Sequence, residues 1–503
     1  MSAKKTFSLE TIANLGMAID EANDRGDASL LTQLEQECNS LAKKSEGTNR
    51  VYLLYFQANA LSGIIAANSQ AQNPSWDDDL SNRIKNLLLL RKSVSDSAFQ
   101  SVDSVWQCQI RTNLANTLAG LSRPVAAIEQ YNSALSFQPR YAKTLLGLSS
   151  SIQQIAISLY DEGHQIHLMA HVLSLIDRAL DSKAICEGDR EVYAPHAEER
   201  RQWIVDNLTR AEYDPEFDLD DFSLGETEEE RVYRTWCLRE RLFVNPLNEP
   251  LTKNVAATDV FHLPSHNYKI GEAARFPDYF NLLKQEYVSA RYRLFVAMHK
   301  KAPDFLMRDV LLLDGGQDQI LGHQADELRS AYRSVYSMFD KISIFLNSYL
   351  KLGLKPKRVK FRQVWFEKQP DGSIEIRNEF RESQNWALRG LFFLSKDLYD
   401  DNFHQVAEPD AAMLNQFRNQ IEHKFLVLHH LPQNSPRGEQ WAISVEEFQQ
   451  KTIRLLRLAR EALFYLSIAM NLNEREKEQK NDNSVRVVHK SKPMDPQNSL
   501  GDF

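Results

Sequence analysis

The chain has 503 residues, of which 43% are hydrophobic and 25% charged, and a formal net charge of −8. This is the composition of an ordinary globular protein long enough for two or more cores. The negative balance excludes indiscriminate nucleic-acid binding, so any contact with RNA or DNA needs a local basic patch.

The opening MSAKKTFSLETIANLG has no apolar signal region, and no run of about 18 apolar residues occurs anywhere. The expected setting is therefore cytoplasmic, with no membrane span. Cys38, Cys108, Cys186 and Cys237 are isolated. They show neither the close pairs of a metal site nor a disulfide framework, and read as reduced, mostly buried thiols.

Residues 1–210 read as consecutive helical hairpins. In CQIRTNLANTLAGLSRPVAAIEQYNSALSFQPRY (Cys108 to Tyr141), Leu114, Ala115 and Leu118 share one helix. Ala127, Tyr131 and Ala134 share the next, and Pro139 closes the unit because it lacks an N–H and clashes with the preceding turn. Small residues at 115 and 127 allow two helices to approach closely, with Tyr131 filling the gap. The pattern resembles the tetratricopeptide (TPR) repeat of about 34 residues, although Arg111 stands where a tryptophan is usual. Such repeats cannot bury their faces alone, so a stacked α-solenoid follows, with a concave face for a protein or peptide partner. The alternative is that the array packs only on the rest of the chain.

Residues 211–230 are acidic and hold no Lys or Arg; they read as a linker, mobile or loosely docked. From 231 helical patterns resume, and YRTWCLRERLFVNPLNE predicts a helix running to Asn245, where Pro246 stops it. VKFRQVWFEKQPDGSIEIRNEF predicts a β-hairpin about Pro370-Asp371-Gly372. AAMLNQFRNQIEHKFLVLHH and SVEEFQQKTIRLLRLAREALFYLSIAMNL read as helices, and 474–503 as a disordered tail.

Within FRNQIEHKF, Asn419 and His423 are four apart, so a helix puts them on one face about 5–6 Å from each other. Arg418 and Glu422 share the adjacent face, and the bland reading is a surface ion pair. Taken with YRTWCLRERLFVNPLNE, LRSAYRSVYSMFDKISIFLNSYL and NWALRGLFFLSKDLY, however, the Arg418-Asn419-x3-His423 pattern resembles the HEPN superfamily over roughly residues 231–470, in a bacterial branch coupled to TPR arrays. The hairpin and the acidic linker do not map onto a generic HEPN bundle.

The resemblance implies a metal-independent endoribonuclease with no cofactor. Two protomers would bring their motif helices together, forming one cleft with both copies of the catalytic set Arg418, Asn419 and His423. It also implies a role in antiphage defence or toxin-like growth arrest. The basic stretch with Lys355, Lys357, Arg358, Lys360 and Arg362, followed by Phe361, Trp365 and Phe366, is the candidate RNA-binding surface; its alternative is a basic edge that blunts aggregation. His404, His429 and His430 show no regular metal-ligand spacing.

The expected architecture is mainly α: a TPR-like α-solenoid (1–210), an acidic linker (211–230), a HEPN-type helical bundle with a small β-hairpin insertion (231–473) and the tail. Expected partners are RNA, a second copy of the chain, and a protein or peptide on the array. The alternative function is a non-catalytic RNA- or nucleotide-binding HEPN protein acting as a TPR scaffold.

Overall fold

Apolar residues recurring three and four apart fold the amino-terminal part into α1 (Leu9–Asp24), α2 (Ala28–Ala42), α3 (Gly47–Asn68), α4 (Leu80–Ser95), α5 (Ser104–Gly120), α6 (Pro124–Phe137), α7 (Ala142–Ser158), α8 (Glu162–Leu180) and α9 (Arg190–Arg210), each packed on the next. The computed structural model describes residues 9–68, 76, 79–186, 188, 190–268, 275–313, 319–355, 357, 359–399, 417, 421, 425–430, 436–437, 440–479 and 485–487.

Helix starts are fixed by local chemistry. The carboxylates of Asp27, Asp103 and Asp161 accept hydrogen bonds from the backbone N–H of Leu30, Val105 and His164 at 2.9, 2.8 and 2.8 Å. They satisfy donors that the first turn leaves open. Pro124 opens α6, where a missing N–H does no harm.

Ala115 and Ala127 are fully buried between α5 and α6. Tyr131 fills the adjoining space, its hydroxyl donating to Asn116 Oδ1 at 2.6 Å. The ring continues onto Gly147 of α7, where a Cβ would lie 2.6 Å from it. Arg111 replaces the usual aromatic by laying its guanidinium 5.3 Å from the Phe99 ring and 6.0 Å from Phe137. Stacked helix pairs with this packing agree with the TPR-like reading of the amino-terminal part.

The acidic segment supplies turns and caps. Asp214 and Asp218 accept from the backbone N–H two residues on. Leu219 O accepts from Val255 N at 2.9 Å. Thr227 caps α10 (Glu228–Arg239), whose first turn holds Glu228, Glu229 and Glu230, placing negative charge where the helix dipole favours it.

The carboxy-terminal part adds α11 (Phe276–His299), α12 (His323–Tyr349), α13 (Asn378–Arg381), α14 (Trp386–Tyr399) and α15 (Val445–Gln479). α11 and α12 form a helical hairpin against α15, and α14 packs on the same helix. From Leu458 to Asn471 every residue of α15 is buried, as expected of a helix enclosed on all faces. Short strands complete the fold: β1 (His266–Tyr268), β2 (Phe366–Lys368), β3 (Ile374–Ile376), β4 (Phe425–His429), β5 (Pro436–Arg437), β6 (Gln440–Ser444) and β7 (Val485–Val487). β2 and β3 make the expected hairpin, and β4 pairs parallel with β6.

Four details depart from the sequence reading. The hairpin is shorter than predicted, because Phe361, Val364 and Trp365 turn into the core instead of forming a strand. Phe425–His429 is a strand, not the continuation of a helix; a short apolar run has no decisive period, and pairing with β6 settles it. α10 ends at Arg239, well before Pro246, where Arg241 adopts a φ of 55° and Leu242 N closes back on Cys237 O at 2.8 Å. The expected disordered tail begins as the last turns of α15, with Glu474 buried, and Val485–Val487 pair with β1.

Array and bundle share a buried polar seam. Arg91 and Arg123 grip Asp397 at 2.7 and 2.6 Å, and Arg123 also holds Glu461 through two bonds of 2.5 and 2.9 Å. Tyr465 Oη accepts from Val125 N at 3.2 Å. Trp76 stacks on Phe380 at 5.6 Å and donates to Ser383 O at 2.8 Å. At the far end, Trp386 Nε1 donates to Ser158 Oγ at 3.1 Å, and Asn471 to Ser158 O at 3.0 Å.

Candidate functional site

One face of α12 carries Tyr332, Tyr336 and Phe339 at helical spacing, all buried. Phe417 is fully buried against this face. It meets Tyr332 edge-on at 6.2 Å, Phe448 at 5.6 Å and Trp441 at 6.5 Å. Ile421, one turn later, packs on the same core. Beyond it, Leu426, Val427 and Leu428 are buried in β4, and Leu428 O accepts from Ile320 N at 2.7 Å. The motif segment is thus anchored on both sides by apolar residues. Arg418, Asn419 and His423 themselves lie outside the described residues.

The basic stretch leans on the same helix. Phe361 is fully buried 5.5 Å from Phe339, and its N–H donates to Asp340 Oδ1 at 3.1 Å. Tyr332, which holds Phe417, and Phe339, which holds Phe361, are seven residues apart, or about 10 Å along the helix at ~1.5 Å per residue. Lys355, Lys357, Lys360 and Arg362 are exposed; Arg358 lies outside the described residues.

The aromatic half of the expected RNA surface is not available. Phe361 and Trp365 are fully buried. Phe366 is half-buried, with Lys396 Nζ 5.1 Å from its ring centre. The stretch therefore offers cations for phosphates but no free ring at 361 or 365 for a base.

The sequence reading also passed over Arg329. It sits three residues before Tyr332, hence on a neighbouring strip of α12, and is half-buried. Burial lowers its pKa below the usual arginine value, with nearby Asp326 opposing and Arg333 reinforcing the shift. Its i, i+3 relation to Tyr332 was the available signal. His429 is buried in β4 and His430 is exposed. Among the described residues no group of three His, Cys, Asp or Glu side chains is arranged to hold a metal.

A helical array joined through a buried polar seam to a bundle that carries an aromatic-anchored motif segment and a basic edge defines a two-part helical protein. Over residues 268–473 the chain matches the family described as LA2681-like HEPN, which supports a HEPN superfamily protein. No curated protein and no solved structure matches it. The family assignment supports a ribonuclease or nucleotide-binding role. Among the described residues no helix is long and apolar enough to cross a membrane.

Proposed function

We propose that the chain is a metal-independent endoribonuclease whose active site forms between two copies of the HEPN segment and is governed by the amino-terminal array. The observation that carries this reading is the Arg418-Asn419-x3-His423 pattern inside the family-matched segment, between the buried anchors Phe417 and β4. Phe417 and Ile421, four positions apart, pack on the core; the reading takes Asn419 and His423 as the opposite strip of the same helix, facing a partner or substrate.

The chemistry suits these residues. The 2′-oxygen of a ribose attacks the adjacent phosphorus while one His423 imidazole takes the hydroxyl proton. The P–O5′ bond breaks as the second copy's imidazole protonates the leaving oxygen. Arg418 neutralises charge growing on the non-bridging oxygens, and Asn419 orients the phosphate. The products are a 2′,3′-cyclic phosphate and a 5′-hydroxyl; DNA lacks the nucleophile. Lys355, Lys357, Arg358, Lys360 and Arg362 lead the RNA backbone toward the cleft. The array receives a protein partner that releases or restrains cleavage, a logic suited to antiphage defence or toxin-like growth arrest.

The test is cleavage of total RNA by purified protein in excess EDTA, with product ends mapped. Wild type is expected to leave cyclic phosphates, and Arg418→Ala and His423→Ala to lose activity at least 100-fold. Equal cleavage by all three proteins rules out the catalytic assignment. RNA binding by the wild type without cleavage favours a binding protein instead.

A further inference from the structure

Between α6, the turn after α10, and α15 lies a cavity of 310 Å³. Five arginines line it: Arg239, Arg241, Arg454, Arg457 and Arg460. The carboxylates beside them are already engaged. Glu129 is held by Arg454 at 2.7 Å and Arg457 at 3.5 Å. Glu240 pairs with Arg457 at 2.9 Å and Arg239 at 3.2 Å. Glu249 lies 2.8 Å from Arg460 but 3.8 Å from Arg241, and Glu461 belongs to Arg123. With Glu461 so assigned, five guanidiniums meet three remaining carboxylates among the described residues.

Two donors in the lining have no aligned acceptor among the described residues. Arg460 is 2% exposed, and its Nη2 meets Glu249 Oε2 off the hydrogen-bonding direction. On the array wall, Asn132 Nδ2 is buried and likewise without a partner. Among the described residues the apolar lining is Val125 and Ala126, and no aromatic ring borders the space. The volume is at the small end of the ~300–1,000 Å³ of ligand sites, and the lining is unlike their usual apolar walls. Guanidinium-rich walls, an unpartnered amide donor at Asn132 across from the ion-paired Arg460 and no aromatic ring among the described lining residues together select a small, highly charged oxyanion.

We propose that this cavity binds a compact anion bearing two or more phosphate groups, bridging array and bundle at a site separate from the Arg418–His423 motif. The proposal does not depend on the nuclease reading. Such a ligand ties α6 to α15 and stabilises the folded chain by mass action.

Full-length protein is titrated calorimetrically with inorganic pyrophosphate and, separately, with ATP at constant ionic strength, alongside thermal melts. The expected result is saturable binding of one anion per chain and a raised melting temperature. Arg241→Gln and Asn132→Asp are expected to bind at least tenfold more weakly while keeping the wild-type urea midpoint. Equal affinity for the two anions supports a free phosphate ligand, and tighter ATP binding supports a nucleotide. No saturable binding of either at millimolar concentration, or undiminished binding by both variants, overturns the proposal.

Discussion

Arg123, in the short turn between α5 and α6, and Glu461, on α15, stand 338 positions apart in sequence yet share two hydrogen bonds of 2.5 and 2.9 Å in a fully buried seam. Arg123 donates at the same time to Asp397 at 2.6 Å, so one guanidinium joins the array to two helices of the bundle. Burial opposes its charge, but Glu461 and Asp397 override this and lift its pKa well above the usual arginine value.

Removing one member of such a network leaves an uncompensated buried charge. Arg123→Ala is therefore expected to destabilise the protein by about 3–5 kcal/mol in urea unfolding. Lys85→Ala breaks the half-exposed pair with Glu35 and is expected to change stability by less than about 1 kcal/mol. Similar losses in both variants would show that the seam is no more than an ordinary surface contact.

The seam also sets an acid limit. Burial alone would raise the pKa of Asp397, but Arg91 and Arg123 hold its carboxyl well below the usual carboxylate range. Because the folded value is depressed, its stabilisation is complete above the unfolded value of about 3.9 and is lost as pH falls through the folded value. Unfolding free energy measured from pH 6 down to pH 2 should fall more steeply below pH 4 in wild type than in Asp397→Asn.

At Gly390 on α14 the backbones of the two parts approach closely. A Cβ there would collide with Ser122 O and lie 3.0 Å from the Tyr465 ring; a backbone oxygen cannot swing aside as a side-chain tip can. Gly390→Ala is expected to cost about 1–3 kcal/mol and to speed proteolysis across the seam. A wild-type digestion rate would show that the parts shift to admit the methyl group.

Thiol chemistry offers a check on burial. Burial, with Glu37 and Glu35 nearby, pushes the Cys38 thiol up to about 12, and burial pushes Cys237 up to about 12. Cys108 is buried as well, whereas Cys186 is partly exposed. Iodoacetamide at pH 8 should label Cys186 first under native conditions and all four only after unfolding; peptide mass mapping reads the order.

If the exposed lysines guide RNA, their loss should appear in salt dependence before catalysis. Each phosphate contact on single strands contributes ~0.7 to the slope of log K against log salt. A variant carrying Lys355→Ala, Lys357→Ala and Lys360→Ala should flatten that slope by up to about 2. An unchanged slope places the RNA elsewhere.

Much of the helical plan was legible because its determinants are local. The Ala115–Ala127–Tyr131 packing unit and the stop at Pro139 act within a few turns. Phe425–His429 was not legible, since its partner strand β6, further along the chain, decides between helix and strand. Phe361 and Trp365 illustrate the same limit: composition marks them as aromatic, while the tertiary turn decides that they are core. The motif was visible as residue types and spacing, and its anchor Phe417 could be read as apolar, but nothing local announced Tyr332, Phe448 and Trp441 as its neighbours. The Arg91–Asp397–Arg123–Glu461 seam had no sequence signature, because its members come from four separate elements.

The enclosure of α15 has a consequence during synthesis. The array's turn at Arg123 leaves the ribosome 338 residues before Glu461, an interval of roughly 15–70 s at ~5–20 residues per second. For that time Arg123 and its apolar surroundings lack the helix that finally covers them. The nascent array must either be shielded by another protein or tolerate the wait, and translation speed over the second half of the chain sets how long it lasts.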